Sequence, residues 1–405
     1  MTVRLSTSMI FQNGMKSMME SQNEVYRSQQ QIATGKRILS ASDDPAASSA
    51  ISQLRDAKGQ NEQYQLNADA ADAQLGFQET VYGDITNMLQ RVRDLVIQGN
   101  TDTTTRADRT IIAGEIEELR NSLFDTANSK DVNGDYLFAG NKSDTIPFSE
   151  TANVVSYQGD EGVREIKIGA SRNVAVNDNG KDVFMKIPTG NGVFSASAAA
   201  SNAGTGVIGV GSEISSFVND TYSIQFTAAD PSTDTLASYE VYDSSAALVA
   251  GPVDFESGDT LSFAGIEVDI EGDPATGDTF TIEPSRNNDV FSTLQSVIDV
   301  FRDTADDAAS SSYRHSEING AFLNLDNAME RIELQRTQSG SRLNAVEQQK
   351  GVNDNLILQG EINISRLEDV DMVEAIMNFQ MQLQALQAAQ QSFSTTQQRS
   401  LFDFI

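Results

Sequence analysis

Apolar residues near the N-terminus recur in alternating steps of four and three, and the same spacing closes the chain after a middle that lacks it. The first seam reads Phe11, Met15, Met18, Gln22, Val25, Gln29, Ile32; the last reads Met372, Ile376, Phe379, Leu383, Leu386, Gln390, Phe393, Gln397. A repeat averaging 3.5 residues keeps one helix face against a partner, so both ends are predicted to be packed helices. Helices at both ends with a different pattern between them imply that the termini meet as an antiparallel bundle.

The inner segments extend this bundle. Thr34-Gly35-Lys36 ends the first helix, with a glycine able to take the left-handed C-cap conformation. Ser40-Ala41-Ser42-Asp43-Asp44-Pro45 then combines N-cap side chains with a first-turn proline. The second helix is predicted from about Pro45 to about Gln98, with the seam Ala71, Leu75, Gln78, Tyr82, Ile85, Leu89, Val92, Val96. At ~1.5 Å per residue it spans roughly 80 Å, too long for a compact globule. Thr101 to Thr105 reads as a polar turn, and Arg106 to about Ser129 as a third helix with Ile112, Ile116, Leu119 and Leu123 inward. Helical seams return at Phe291, Leu294, Ile298, Phe301 and then from Ile318 through Phe322, Leu325, Met329 and Ile332 to Val346.

Between them, short alternating runs broken by Gly, Asn and Asp mark strands: Tyr136–Phe138, Val154–Tyr157, Arg164–Ile168, Tyr222–Phe226, Tyr239–Tyr242, Ile266–Ile270 and Thr279–Ile282. The Gly/Ala/Ser-rich stretch Thr189 to Gly211 reads as a linker between two β-subdomains. The expected fold is α+β, an elongated antiparallel helical bundle built from both termini, with a β-rich central excursion of two small subdomains. Its parts fall at 1–44 and 45–130, then 131–190 and 191–286 for the β-subdomains, then 287–365 and 366–405.

Composition removes whole classes of chemistry. The chain has no Cys and one His, His315, so Cys nucleophiles, thiolate zinc sites and any two-histidine metal site are impossible. His315 itself reads as a surface residue just before a helix. Asp131-Val132-Asn133-Gly134-Asp135 resembles part of a calcium loop, but its glycine stands fourth and Lys142 occupies the twelfth position, where the loop needs a glutamate. No carboxylate pair among 58 acids is singled out by spacing. No cofactor, metal or catalytic group is therefore expected.

Charge excludes further partners. Against 58 Asp and Glu stand 28 Lys and Arg, and from Ile187 to Ser285 there is no Lys or Arg against 15 acids. Such a surface repels phosphate backbones and anionic lipid, so nucleic acid and membranes are not expected partners. The N-terminus has no apolar run of secretory length, and no stretch approaches the ~20 apolar residues of a membrane span.

The terminal seams carry glutamine, eight of them within Asp371 to Ser400. A lone pair of such helices buries little apolar area, which favours ordering among further helices of neighbouring copies. Self-assembly is the expected activity, and hydrolysis or surface binding by the acidic β region is its competitor.

Two stretches carry a family resemblance. Gln30-Gln-Ile-Ala-Thr-Gly35-Lys-Arg-Ile-Leu-Ser40-Ala-Ser-Asp-Asp-Pro-Ala46 resembles the N-terminal signature of the flagellin family, and Ile364-Ser-Arg-Leu-Glu-Asp-Val-Asp371 its C-terminal one. Asn133–Gly140 with Thr145–Ser149, Asp220–Phe226 with Gly277–Ser285, and the ending Ser400-Leu-Phe-Asp-Phe-Ile405 are similar to the hook–filament junction branch of that family. The resemblance implies a structural protein of the bacterial flagellum, exported without a cleaved signal peptide by the flagellar type III apparatus with an export chaperone. It implies hook-associated protein 1 and flagellin or the filament cap as neighbours; a filament subunit is the alternative. It also implies that tube-forming helices run Phe11 to Ile32 and Met372 to Ser400. The candidate assembly residues are Phe11, Met15, Met18, Val25 and Ile32, then Gly35, Lys36, Arg37, Asp43 and Asp44. At the other end they are Arg366, Leu367, Glu368 and Asp369, then Ile376, Phe379, Leu383, Leu386, Phe393, Phe402 and Phe404. The cations Lys36, Arg37 and Arg366, placed at helix-connecting turns, either pair with Asp43-Asp44 or Glu368-Asp369 of the same or a neighbouring subunit or stand as solvated turn residues worth less than ~1 kcal/mol each.

Overall fold

The computed structural model describes residues 7–227 and 237–402, except the side chains of 7, 8, 10 and 396–402. Three helices, α1 (Thr7–Thr34), α2 (Pro45–Gly99) and α3 (Arg106–Ala127), precede the β region, and α4 (Val290–Asp303), α5 (Ala308–Glu368) and α6 (Met372–Phe402) follow it. The chain divides into two compact units, one made of residues 1–67 and 349–405 and the other of 68–348.

In the larger unit the α2 seam is the spine of the core. Ala71, Leu75, Gln78, Tyr82, Ile85, Leu89, Val92 and Val96 are all buried, because a strict four–three spacing lays them on one face. From Tyr82 to Val96 they join Ile112, Ile116 and Leu123 of α3, the α4 face around Phe291 and Leu294, and Ile318, Leu325 and Ile332 of α5, while Ala71 and Leu75 pack in a separate cluster with Ile168, Val176 and Val346. Local signals set the helix ends: Thr105 and Asp108 form a reciprocal capping box at α3, and Asp289 accepts from the Ser292 amide at α4. At the foot of this core four rings meet, with Phe184 lying 5.1, 5.4 and 5.9 Å from Phe138, Phe148 and Phe291.

The β region begins with two hairpins, β1 (Phe148–Thr151) with β2 (Val154–Tyr157) and β3 (Glu165–Lys167) with β4 (Asn173–Ala175). Next come β5 (Ile187–Pro188), β6 (Phe194–Ala198), β7 (Val207–Ile208), β8 (Ser212–Glu213), β9 (Tyr222–Thr227) and β10 (Ser238–Tyr242). The remainder are β11 (Leu248–Asp254), β12 (Thr260–Phe263), β13 (Ile266–Glu271), β14 (Thr279–Pro284) and β15 (Asn287–Asn288). A five-stranded antiparallel sheet of order β11-β10-β9-β14-β6 packs with a sheet of order β12-β13-β7, on which β8 also pairs. Their shared core includes Phe226, Phe255 and Phe280, fed by the alternating inward residues of β9, β13 and β14. The short pair β5–β15 forms the neck of this insert, with Asn287 opposite Pro188 and Asn288 opposite Ile187.

Several expectations are corrected. Thr189 to Gly211 is not a linker, since it contains β6 and β7. The small residues of β6 lie against α5: a Cβ added at Gly320 would stand 3.7 Å from Ala196 O, and Glu317 accepts from the Ala198 amide at 3.3 Å. Tyr136–Phe138 is not a strand but a turn whose Leu137 and Phe138 are buried in the main core. Nor does His315 precede a helix. It lies within α5, and its Nε2 is 2.9 Å from Asp102 Oδ1.

Candidate assembly interface

The smaller unit gathers α1, the start of α2, the end of α5, and α6. Gly35 ends α1 at φ +71°, a conformation that favours glycine, and the turn brings the chain against the end of α5. There the segments that follow α1 and end α5 form an isolated antiparallel bridge. The Arg37 amide donates to Glu368 O at 2.7 Å and the Val370 amide to Gly35 O at 3.0 Å, with Lys36 opposite Asp369.

Glu368 is the centre of the charges there. Its side chain is 9% exposed, with Lys36 Nζ at 2.5 Å from Oε1 and Arg55 Nη2 at 2.6 Å from Oε2. Burial alone would raise this carboxyl, but the hydrogen bonds from Lys36 and then Arg55 outweigh it and hold the group below its ordinary value. Arg37 donates to Leu367 O at 2.8 Å and lies 3.8 Å from Asp44. Asp43 accepts the Leu39 and Ser40 amides and pairs with Arg27 at 2.9 Å. The bond from the Ser40 amide, then that from Leu39, holds its carboxyl low. Asp44 caps α2 through the Ala47 amide, and Asp371 caps α6 through those of Val373 and Glu374.

Two of the expected pairings form, Lys36 with Glu368 and Arg37 with Asp44, whereas Asp43 takes Arg27 and Arg366 is exposed with no ion pair among the described residues. Arg27 and Arg55 carry no distinguishing sequence signal, since each is one cation on a long polar helix.

The α1–α6 packing also departs from the expected seam. Gly14, Met18, Ser21, Val25, Ser28 and Ile32 are the less exposed positions of α1, while Gln22 and Gln29 face away. Ser28 Oγ donates to Gln382 Oε1 at 2.6 Å, and the Phe11 and Phe393 rings lie 5.2 Å apart. A Cβ at Gly14 would stand 2.9 Å from Phe393, which accounts for a helix-weakening glycine there. On α6, Phe379, Leu383, Leu386 and Phe393 are half-buried and Ala375 is buried, whereas Ile376 is exposed. Phe404 and the Phe402 side chain lie outside the described residues.

A second apolar stripe stays uncovered on each helix. Met15, Met19 and Tyr26 of α1 are exposed, as are Val373, Met377 and Met381 of α6, the last three at 54% or more. Spacings of four and seven put each set on one helical face.

Helices drawn from both ends around a β-rich centre define a flagellin-type protein, and residues 5–143 match the bacterial flagellin N-terminal helical region. The solved structure of flagellar hook-associated protein-3 from Legionella pneumophila is 30% identical, with a TM-score of 0.73 over 78% of this chain and 98% of that one. The chain belongs to the family of flagellar hook-associated protein 3. Flagellar hook-associated protein 3 of Escherichia coli is 35% identical over 49% of this chain, and that of Salmonella typhimurium is 31% identical over 46%. The aligned region spans 62% and 58% of those two relatives. A flagellin of Clostridium tyrobutyricum aligns over 98% of the chain at 20% identity.

Proposed function

We propose that this chain is a structural, non-catalytic component of the bacterial flagellum that joins hook to filament by assembling through its terminal helices. The uncovered stripes on α1 and α6 carry the reading. Met15, Met19 and Tyr26 on one helix and Val373, Met377 and Met381 on the other are left in water although another face of the same helix is packed. Neighbouring axial subunits offering equivalent helices would cover them. Kinship to solved proteins described as flagellar junction proteins supports the place of this assembly. On that reading its neighbours are further copies, hook-associated protein 1 on one side and flagellin or the filament cap on the other. An export chaperone would hold the chain before type III export without a cleaved signal peptide.

The test is addition of purified protein to isolated hooks carrying hook-associated protein 1. A short zone that stops growing and then accepts flagellin is expected. Long filaments of this chain alone would overturn the junction reading in favour of a filament subunit, the alternative that the full-length flagellin alignment favours.

A further inference from the structure

The turn between α2 and α3 walls a cleft of about 200 Å³ in the larger unit. Two guanidiniums line it, Arg109 of α3 and Arg314 of α5, which are 1% and 2% exposed. Arg109 has its counter-charge. Its Nη1 lies 2.9 Å from Asp306 Oδ1 and donates to Thr104 O at 3.0 Å, and its Nη2 donates to Thr304 O at 2.9 Å.

Arg314 has none. Its Nη2 donates to Ser311 Oγ at 2.9 Å, while Nε and Nη1 are buried without a hydrogen-bond partner, and among the described residues it forms no ion pair. Both acids of the cleft are engaged elsewhere, Asp306 by Arg109 and the Arg106 amide, Asp102 by His315. Burial, and then the neighbouring Arg109, disfavours the charged form of Arg314, while the Asp102 and Asp306 carboxylates favour it. A guanidinium does not lose its proton in proteins, so what the chain leaves unsatisfied at Arg314 is its unpartnered N–H donors.

We propose that the cleft between Arg109 and Arg314 binds an oxyanion, with Arg314 as its principal cation and the Thr103 hydroxyl beside it. The net charge of −30 repels anions at long range, so occupancy rests on these enclosed donors and not on surface attraction. The oxyanion has two possible sources with the same chemistry: a free inorganic ion, or the carboxylate of an Asp or Glu on a neighbouring subunit.

The binding experiment titrates sodium phosphate into the full-length protein at constant ionic strength, followed by calorimetry and by thermal unfolding against matched sodium chloride. Saturable binding and a phosphate-specific rise in Tm are expected, with at least tenfold weaker binding by Arg314→Gln. Absence of saturable binding, or equal binding by the variant, overturns the proposal. Should that variant not fold, Arg314→Lys keeps the charge and loses the planar donors; weaker binding is again expected, and unchanged binding again overturns it. Assembly on hook seeds with and without saturating phosphate then separates the sources. Inhibition assigns the site to a neighbour's carboxylate, and no inhibition assigns it to a free ion. Binding is measured on the monomer, so its failure leaves the assembly reading standing, and the converse holds.

Discussion

Lys36 Nζ lies 2.5 Å from Glu368 Oε1, so the turn that ends the first helix is held by charge to the last residue of the fifth. The same glutamate holds Arg55 of α2, and its backbone carbonyl accepts the Arg37 amide. One side chain therefore ties the end of α5 to two segments more than three hundred residues earlier in the chain. Glu368→Gln leaves two cations around a neutral amide. Both are about half exposed, so the loss is expected at the low end for ion pairs, about 1–2 kcal/mol. Faster hydrogen exchange at the Arg37 and Val370 amides checks it, and unchanged protection would count against the glutamate as the tie.

The same carboxyl makes the turn acid-sensitive. Its folded pKa lies below its ordinary value of 4.5, so its contribution is fully present above that value and is lost as pH falls through the lower folded one. Asp43 is shifted in the same direction and adds to the effect. Exchange at Arg37 and Val370 should be constant from pH 7 to about 5, after correction for intrinsic rates, and rise below it. In Glu368→Gln that acid limb should be shallower, and an identical limb in both proteins would assign it to other carboxylates.

Deep in the larger unit, Asp178 accepts from Gln78 at 2.6 Å, from Tyr82 at 2.8 Å and from Arg342 at 2.8 Å, with its side chain 7% exposed. Burial first, and the Asp178 charge second, push the Tyr82 hydroxyl well above its ordinary value, so Tyr82 remains a donor. Removing the acceptor strands Tyr82 and Arg342 and takes one of two partners from Gln78, which also donates to the Tyr82 hydroxyl at 3.1 Å. Asp178→Ala is expected to cost about 3–5 kcal/mol in denaturant unfolding, whereas Tyr82→Phe, which removes the hydroxyl's bonds to Asp178 and from Gln78, should cost about 1–2. Similar values for the two would show that the network does not converge on the aspartate.

What the sequence disclosed tracks how local the cause is. The α2 seam was legible because eight buried positions obey one period. On α1 the period was readable but the face was ambiguous, since Met and Gln suit either side and the contact is made partly by Gly14, Ser21 and Ser28, which give no hydrophobic signal. Strands β9, β13 and β14 alternate clearly, while Phe194–Ala198 hides among small residues and becomes a strand only because β14, far along the chain, pairs with it. The acid–base partners at Glu368 depend on a bridge between chain ends, which no local pattern encodes.

The uncovered α6 stripe separates folding from assembly. Val373 and Met377 are exposed, so Val373→Asp with Met377→Asp should change stability by no more than about 0.5 kcal/mol each. Incorporation into hook seeds should nevertheless be abolished, because two carboxylates would be desolvated in any helical contact. Thermal unfolding and seeded assembly together check this. Normal assembly by the double variant would remove the stripe from the interface.

The neck β5–β15 defines how the acidic insert can be cut out. Beyond the two paired positions, the Thr189 amide donates to Arg286 O at 2.9 Å, so the strand ends adjoin. Replacing residues 190–285 by an Asn-Gly turn therefore closes a hairpin without moving either flank. The core around Phe184 and Phe291 is built from other segments and should survive. What is lost is the cover over Tyr313 and the α5 contacts at Ser316 and Glu317. Cutting instead from Thr151 would remove Val155, Val183, Phe184 and Ile187, four members of the main core, and is expected to unfold the unit. Cooperative unfolding of the 190–285 replacement, with retained incorporation into hook seeds, is the expected pair of results. A folded variant that no longer assembles would move part of the assembly function into the acidic sheets, which the terminal-helix reading does not allow.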